Sequence, residues 1–262
     1  MVKASILNEI RNNSPLVHNI TNYVVMNNTA NALLSVGASP VMAHSLDEVE
    51  DIISISSSLV INMGTLSELW VDSMIKAGKK ANELKKPIVF DPVGIGASSY
   101  RTEVAKEIIE KTSPCVIRGN ASEIMVLAQL SSVTKGVDST AKTVEALDGA
   151  IQLSKELNNT VVVSGETDYI VTRNKVSSVN NGREIMSKVT GMGCTATSVI
   201  GASVAVEDDV HEAAVFSMAL MGVAGEIAES KSNGPGSFQI SFLDTLSSVS
   251  SKIISDNARI ND

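Results

Sequence analysis

Short apolar runs rich in β-branched residues recur along the chain, separated by longer stretches with helical spacing. Pro15–Ile20 is the first such run, followed by a predicted helix over Tyr23–Val36 that Gly37 ends. Val41-Met42-Ala43 is the second run. After it, Ser45-Leu46-Asp47-Glu48 has the spacing of a capping box, in which hydroxyl and carboxylate satisfy orphan helix N–H groups. Leu59–Asn62, Ile88–Phe90 and Cys115–Ile117 are the next runs, each followed by a predicted helix: one ending near Lys86-Pro87, one over Arg101–Lys111 and one over Ser122–Gln129. Strands alternating with helices of ten or more residues imply βαβ crossovers and a mostly parallel, buried sheet. Thr160–Val163 and Tyr169–Thr172 flank a glycine-bearing turn, which predicts a hairpin near the sheet edge, and the last third from Cys194 onward reads as mainly helical. No low-complexity linker or repeat marks a boundary, so residues 1–262 read as a single three-layer α/β domain with a mostly parallel central sheet flanked by helices.

Composition narrows the function classes. A net charge of −8 leaves no basic stripe for a nucleic acid. Aromatic residues make up only 3%, too few for stacking platforms. Cys115 and Cys194 lie far apart, and neither they nor His18, His44 and His211 have metal-ligand spacing. His18 and His44 are expected to be structural. No unbroken apolar stretch reaches the roughly 18 residues of a membrane span. The opening residues run into an amphipathic pattern, not a signal core. The expectation is a cytoplasmic protein with free thiols and no membrane partner.

In open parallel sheets, ligands bind at the carboxyl ends of the strands. Polar and glycine-bearing segments follow each predicted strand here: His18-Asn-Ile-Thr-Asn22, Met42, Asn62-Met-Gly-Thr65, Asp91-Pro-Val-Gly94, Arg118-Gly-Asn120 and Ser164-Gly165. Asp91 leaves an apolar strand directly into Pro92 and reads either as a turn residue or as a carboxylate for a cation. Glu123, just inside the next helix, reads either as a complement to the helix dipole, worth about 0.3–1 kcal/mol, or as a second carboxylate. Together the pair could hold Mg²⁺ through waters. Arg118 ends a buried apolar strand and suits a phosphate clamp.

Val189-Thr190-Gly191-Met192-Gly193-Cys194 is the sharpest feature. Gly191 and Gly193 precede a helical run of small residues, so their N–H groups can form an anion hole at a helix N-terminus for a transferring phosphoryl group. Cys194 at that terminus has either a thiolate-favouring position or the role of a small buried apolar residue. The stretch also reads as G-x-G-x-x-A, but it falls late in the chain, outside an opening βαβ unit, which weighs against a dinucleotide fingerprint. No G-x-x-x-x-G-K-[ST] occurs, which excludes the P-loop class. Gly234-Pro235-Gly236 reads as a helix-entry turn.

Taken in order, His18–Asn27, Gly37–Met42, Asn62–Thr65, Phe90–Gly94, Arg118–Glu123, Thr190–Cys194 and Gly234–Gly236 resemble hydroxyethylthiazole kinases, over nearly the whole chain. The resemblance implies a ribokinase-like fold and ATP-dependent phosphorylation of the hydroxyl of 4-methyl-5-(2-hydroxyethyl)thiazole in thiamine salvage. It also implies a homotrimer with sites at subunit boundaries. It assigns Asn22, Met42 and Gly191 to the thiazole, with Met42 supplied across the interface. Arg118 and Ser164 go to ATP, Asp91 and Glu123 to Mg²⁺. Cys194 stands where ribokinase relatives generally carry an aspartate base, so it is either the proton acceptor or a neighbour of the substrate hydroxyl. That difference weighs against a hydroxymethylpyrimidine kinase or a hydrate dehydratase of the same fold. Joint retention of Asp91, Arg118, Glu123 and the two glycines weighs against a non-catalytic sensor. Thr195-Ala-Thr197 departs from the more apolar family pattern and is expected to alter helix packing more than chemistry.

Overall fold

The structure, a computed structural model, describes residues 2–131 and 142–262. Nine strands among the described residues form one sheet: β1 (Leu16–Ile20), β2 (Ser39–Val41), β3 (Ser58–Asn62), β4 (Ile88–Asp91), β5 (Val116–Asn120), β6 (Thr160–Ser164), β7 (Asp168–Thr172), β8 (Lys175–Val179) and β9 (Ile260–Asn261). Their order is β2-β1-β3-β4-β5-β6-β7-β8-β9. The first six strands pair in parallel and the last three antiparallel. The predicted hairpin is β6–β7, and β8 with β9 extends the sheet beyond it. Both additions were invisible to patterning, because Lys175-Val-Ser-Ser-Val179 is polar and β9 has two residues.

Successive strand residues face opposite layers, and the core divides accordingly. Val60, Val89, Val116 and Val162 pack beneath α1 (Ile6–Asn13), α2 (Met26–Val36), and four helices from the end of the chain: α8 (Met192–Val204), α9 (Val210–Glu229), α10 (Pro235–Ser248) and α11 (Ser251–Asn257). Ile61, Phe90, Ile117 and Val161 face α3 (Val49–Ile55), α4 (Glu68–Glu83), α5 (Ser99–Thr112), α6 (Ala121–Ser131) and α7 (Lys142–Leu157). The strands are near-continuous apolar runs because both faces are covered. α9 has the length and hydropathy of a membrane span, but 78% of that window is buried, so its apolar surface belongs to the core. α10 starts at Pro235 after Gly234, the predicted helix-entry turn.

Three local expectations are corrected. Ser45 and Glu48 do not form a capping box: Ser45 Oγ accepts only from Asp47 N (3.4 Å), and α3 begins at Val49 without a side-chain cap. The reciprocal pattern occurs instead at Asn120 and Glu123, where Asn120 N donates to Glu123 Oε2 (2.9 Å) and Glu123 N to Asn120 Oδ1 (3.0 Å). The second strand is Ser39–Val41, so Met42 lies just past it. The helix expected from Tyr23 starts at Met26, because Asn22 Oδ1 accepts Val24 N (3.1 Å) and holds Tyr23–Val25 in a turn.

Candidate active site

Adjacent parallel strands end in the side chains of the site. Asn22 follows β1, Asn62 ends β3, Asp91 ends β4 in register with Asn62, and Arg118 rises from β5. Asn22 Nδ2 donates to Asn62 Oδ1 (2.8 Å), and Asn62 Nδ2 donates to Asp91 Oδ2 (3.0 Å). Thr197 of α8 donates to the same oxygen (2.7 Å), and Arg118 Nη1 lies 3.7 Å from it. Asp91 Oδ1 is buried without a partner. Burial pushes the Asp91 carboxyl up to about 6. The Arg118 charge and the Thr197 and Asn62 bonds pull it back, while the nearby Glu123 charge pushes it further up.

Arg118 also donates from Nη2 to Ser164 Oγ at the end of β6. Ser164, Arg118 and Gly193 line a cavity of about 730 Å³, whose further walls include Asp168, the segment 181–187 and Met218, Met221 and Ala196. The guanidinium therefore separates this cavity from the Asn22–Asn62–Asp91 network, touching both. Gly193 has no room for a side chain: a Cβ there would stand 2.4 Å from Arg118 Nη1 and 2.9 Å from Nη2. Gly191 turns the chain into α8 with φ +85°, a left-handed conformation that favours glycine, and a Cβ would also meet Val25 Cγ1 at 2.6 Å. The predicted glycine turn is thus a close-packed entry to a helix aimed at the guanidinium.

Cys194 is the third residue of α8, and Asn22 Nδ2 approaches its Sγ at 3.5 Å. Of its two readings, thiolate-favouring position or small buried residue, the surroundings favour the second. Burial, then the Asp91 charge, push the thiol up to about 11, and the Asn62, Arg118 and Asn22 contributions offset this only in part. Glu123 spends both oxygens on backbone: Oε1 accepts Gly94 N (2.9 Å) and Oε2 accepts Asn120 N. Glu123 thereby fastens the loop after β4 to the start of α6. Met42 follows the edge strand β2 and is not among the residues lining the cavity.

Four residues to which the sequence assigned no site role belong to this rim. Thr197, in the stretch expected to alter helix packing, also donates to the Asp91 carboxylate. Asp168 accepts Gly165 N (3.0 Å) on the cavity wall, and burial raises its carboxyl to about 6 against the Gly165 bond and the Arg118 charge. Arg101 donates to the carbonyls of Met63 (2.7 Å), Val93 (2.8 Å) and Gly64 (2.8 Å), tying together the loops after β3 and β4. Asn62 appeared in a motif but without a role. Asp168 had a legible signal, an acid opening an apolar strand just beyond Ser164-Gly165. Thr197 had one too, as part of the Thr195-Ala-Thr197 departure from the apolar pattern, whereas Arg101 had none, being a polar residue at an ordinary helical position.

Comparison with known proteins follows the same geometry. The profile of the hydroxyethylthiazole kinase family matches residues 7–252. A hydroxyethylthiazole kinase of Leptospira biflexa is 53% identical over 237 residues, which is 90% of this chain and 89% of that protein. The solved hydroxyethylthiazole kinase of Pyrococcus horikoshii OT3 superposes with a TM-score of 0.92 at 40% identity, covering 98% of this chain and 97% of that one. A ribokinase-like superfamily protein of Enterococcus faecalis shares the fold at 12% identity, with a TM-score of 0.67 and coverage of 95% and 96%. With the motif order, the glycine turn and this coverage in agreement, the chain belongs to the hydroxyethylthiazole kinase family, on a ribokinase-like fold.

Proposed function

We propose that this chain transfers the γ-phosphoryl group of ATP to the hydroxyl of 4-methyl-5-(2-hydroxyethyl)thiazole, a step of thiamine salvage. The observation that carries the reading is Arg118, held against Gly193 and reaching both the cavity and the buried Asp91 network. ATP occupies the cavity, with Arg118 and Ser164 on its phosphates. The thiazole lies on the other side of the guanidinium, against Asn22 and Gly191. The N–H groups of the turn Gly191–Gly193, backed by the dipole of α8, face the charge that develops during transfer.

Asp91 and Glu123 fit a cation held through water. Asp91 Oδ1 is a buried carboxylate oxygen with no protein partner, and the two charges are close enough to raise the Asp91 carboxyl. Each Glu123 oxygen already accepts one backbone N–H, which leaves it a second lone pair and favours contact through water over direct ligation. Mg²⁺ bound there would neutralise phosphate charge. Phosphoryl transfer rests on positioning and charge neutralisation, so no strong base is needed. Burial and the Asp91 charge raise the Cys194 thiol to about 11, which favours its protonated form at neutral pH and supports the reading of Cys194, held by Asn22, as a neighbour of the substrate hydroxyl over that of proton acceptor.

A trimer with Met42 supplied by a neighbouring copy suits the exposed apolar surface beside Asn22. Tyr23 and Leu69 are 62% and 67% exposed, and Tyr23 rests on Trp70 with ring centroids 4.6 Å apart. A cytoplasmic enzyme formed of one kinase domain per chain completes the reading. An ADP-release assay offering the thiazole alcohol, a hydroxymethylpyrimidine and sugar alcohols tests it. Turnover confined to the thiazole is expected, and none above background would overturn the assignment. A solution mass of one or two chains would overturn the trimer.

A further inference from the structure

The far wall of the cavity is the segment 181–187, and its anchorage lies outside the site. It follows β8, whose edge away from β7 is paired, among the described residues, with the two-residue strand β9: Ser178 pairs with Asn261 and Val179 with Ile260. Next to β9, Arg259 N donates to Asn181 Oδ1 (2.7 Å), and the Arg259 Nε donates to Asn180 O (3.1 Å). The same guanidinium grips Glu226 of α9, with Nη1 3.1 Å from Oε2 and Nη2 on Oε1. Glu226 in turn accepts Gly182 N at 2.9 Å and both of its oxygens approach Asn181 Nδ2. Asn181 Nδ2 also donates to Asn257 O (3.0 Å).

Two further observations point to a built wall. Gly222 and Gly225 of α9 form a trough for it. A Cβ at Gly222 would stand 2.5 Å from Asn181 Cβ, and one at Gly225 would stand 2.5 Å from Met186 Sδ. The opposite wall is tied in as well, since Thr167 Oγ1 donates to Asn180 Oδ1 (2.8 Å) beside the Gly165–Asp168 turn. Asn181, Gly182, Met186, Gly222, Gly165 and Asp168 all line the cavity, whereas Arg259 and Glu226 do not. The pair is a charge-assisted brace. It holds the backbone N–H of Gly182 and the side-chain amide of Asn181, both on the cavity lining, and the carbonyl of Asn180 beside them, and a guanidinium fork suits it better than an ammonium.

We propose that Arg259 and Glu226 are positioning residues for the nucleotide: they hold the 181–187 wall at the spacing the cavity's occupant requires. This rests on the reading of the cavity as the ATP site. The side-chain hydrogen bonds of both residues are with 180–182 and each other and none is with Asn22, Asp91 or Cys194, so loosening them acts on nucleotide affinity and leaves the thiazole alcohol untouched. The experiment compares Arg259→Ala, Arg259→Lys and Glu226→Gln with the unaltered full chain. KM is measured for ATP and for the thiazole alcohol separately, and the Kd of ADP by calorimetry. Arg259→Ala and Glu226→Gln are expected to raise the ATP KM and the ADP Kd about fivefold or more, with kcat and the thiazole KM within about twofold, and Arg259→Lys is expected to recover part of the loss. An unchanged ATP KM, or an equal fall in every parameter, would overturn the proposal. Ser187→Trp, which obstructs the cavity rim without touching the brace, separates the two failures. If it leaves the ATP KM unchanged, the nucleotide reading of the cavity fails. If it raises that KM while Arg259→Ala does not, the brace alone fails.

Discussion

Replacing Gly193 with alanine adds one methyl group, and the structure fixes where it goes. The new Cβ would stand 2.4, 2.9 and 3.0 Å from Nη1, Nη2 and Cζ of Arg118, well inside van der Waals contact. α8 has little freedom to retreat, because its entry is packed on Val25 at Gly191 and Thr197, one turn on, is bonded to Asp91. The guanidinium must move, leaving Ser164 and Asp91. It has no better place inside, since its Nε is already buried without a partner. A hydrogen bond to a charged group contributes about 1.5–3 kcal/mol, which corresponds to a loss of roughly 10- to 150-fold in kcat/KM for ATP. Helix propensity acts in the opposite direction, with alanine about 0.8–1 kcal/mol better than glycine, but this offsets only part of the lost contacts, so the melting temperature should fall modestly. The ADP-release assay with ATP varied, beside a thermal melt, reads both. Arg118→Ala in the same background should cost little more, because the two changes remove one interaction. An ATP kcat/KM within about threefold of the unaltered protein would refute the reasoning.

Other outcomes follow from the same geometry. Cys194→Asp should keep or raise kcat, since it places beside the Asn22 amide the aspartate that the resemblance to ribokinase relatives implies there; a loss of about 100-fold, roughly 2.7 kcal/mol, would show that the thiol itself matters. The Asp91 carboxyl, raised to about 6, binds a proton as pH falls through that value and loses the charge that orients Arg118 and Thr197. The ATP kcat/KM should therefore be level above about pH 7 and decline below 6, and a flat profile down to pH 5 would contradict it. Asp168, also raised to about 6, binds protons more tightly folded than unfolded between its ordinary value and 6, so its contribution to stability is present at low pH and lost as pH rises through 6. Asp168→Asn, which keeps an acceptor for Gly165 N, should raise the melting temperature at pH 8 and have no such effect near pH 4.

The sheet and the placement of the rim were legible because each parallel strand is apolar to its tip and then breaks into a polar or glycine residue. Asn22, Asp91, Arg118 and Ser164 announce themselves as departures from that pattern, and Gly191 and Gly193 as two glycines before a small-residue helix. What escaped depended on contacts between distant segments. Thr197 matters because α8 lays it on Asp91, 106 positions away in sequence. Arg101 looks like any solvent-facing helix residue until its guanidinium is seen holding three loop carbonyls. Both readings of Cys194 stayed open in the sequence for a related reason. Position at a helix N-terminus is written there, but burial and a neighbouring carboxylate, which raise the thiol, are not. At Glu123 the reading as a helix-start carboxylate describes the bond to Asn120 N, while the bond to Gly94 N in the loop after β4 is a contact between distant segments.

The charges around the cavity carry one more consequence. Its lining includes Arg118 and Arg183 against Glu166, Asp168 and Glu184, and Asp91 stands behind Arg118. Arg183 is engaged with Glu229 at 3.0 Å, and Arg118 already faces Asp91 and Asp168. A polyphosphate entering alone would therefore add negative charge to a site with no surplus of positive charge. Two like unit charges 4 Å apart repel by about 4 kcal/mol at an effective dielectric of 20, far more than the turn Gly191–Gly193 can offset at about 0.3–1 kcal/mol for a helix terminus. Binding should then require a divalent cation delivered with the nucleotide, with the partnerless Asp91 Oδ1 facing its hydration shell. Calorimetric titration with ATP in EDTA and in Mg²⁺ measures the difference, expected to exceed about tenfold in Kd. Asp91→Asn should narrow it, because removing one negative charge favours the metal-free nucleotide while weakening the hold on the cation. Equal affinity in both buffers would mean that Arg118 and the α8 terminus suffice for the phosphates, and the assignment of Asp91 and Glu123 to a cation would fall with it.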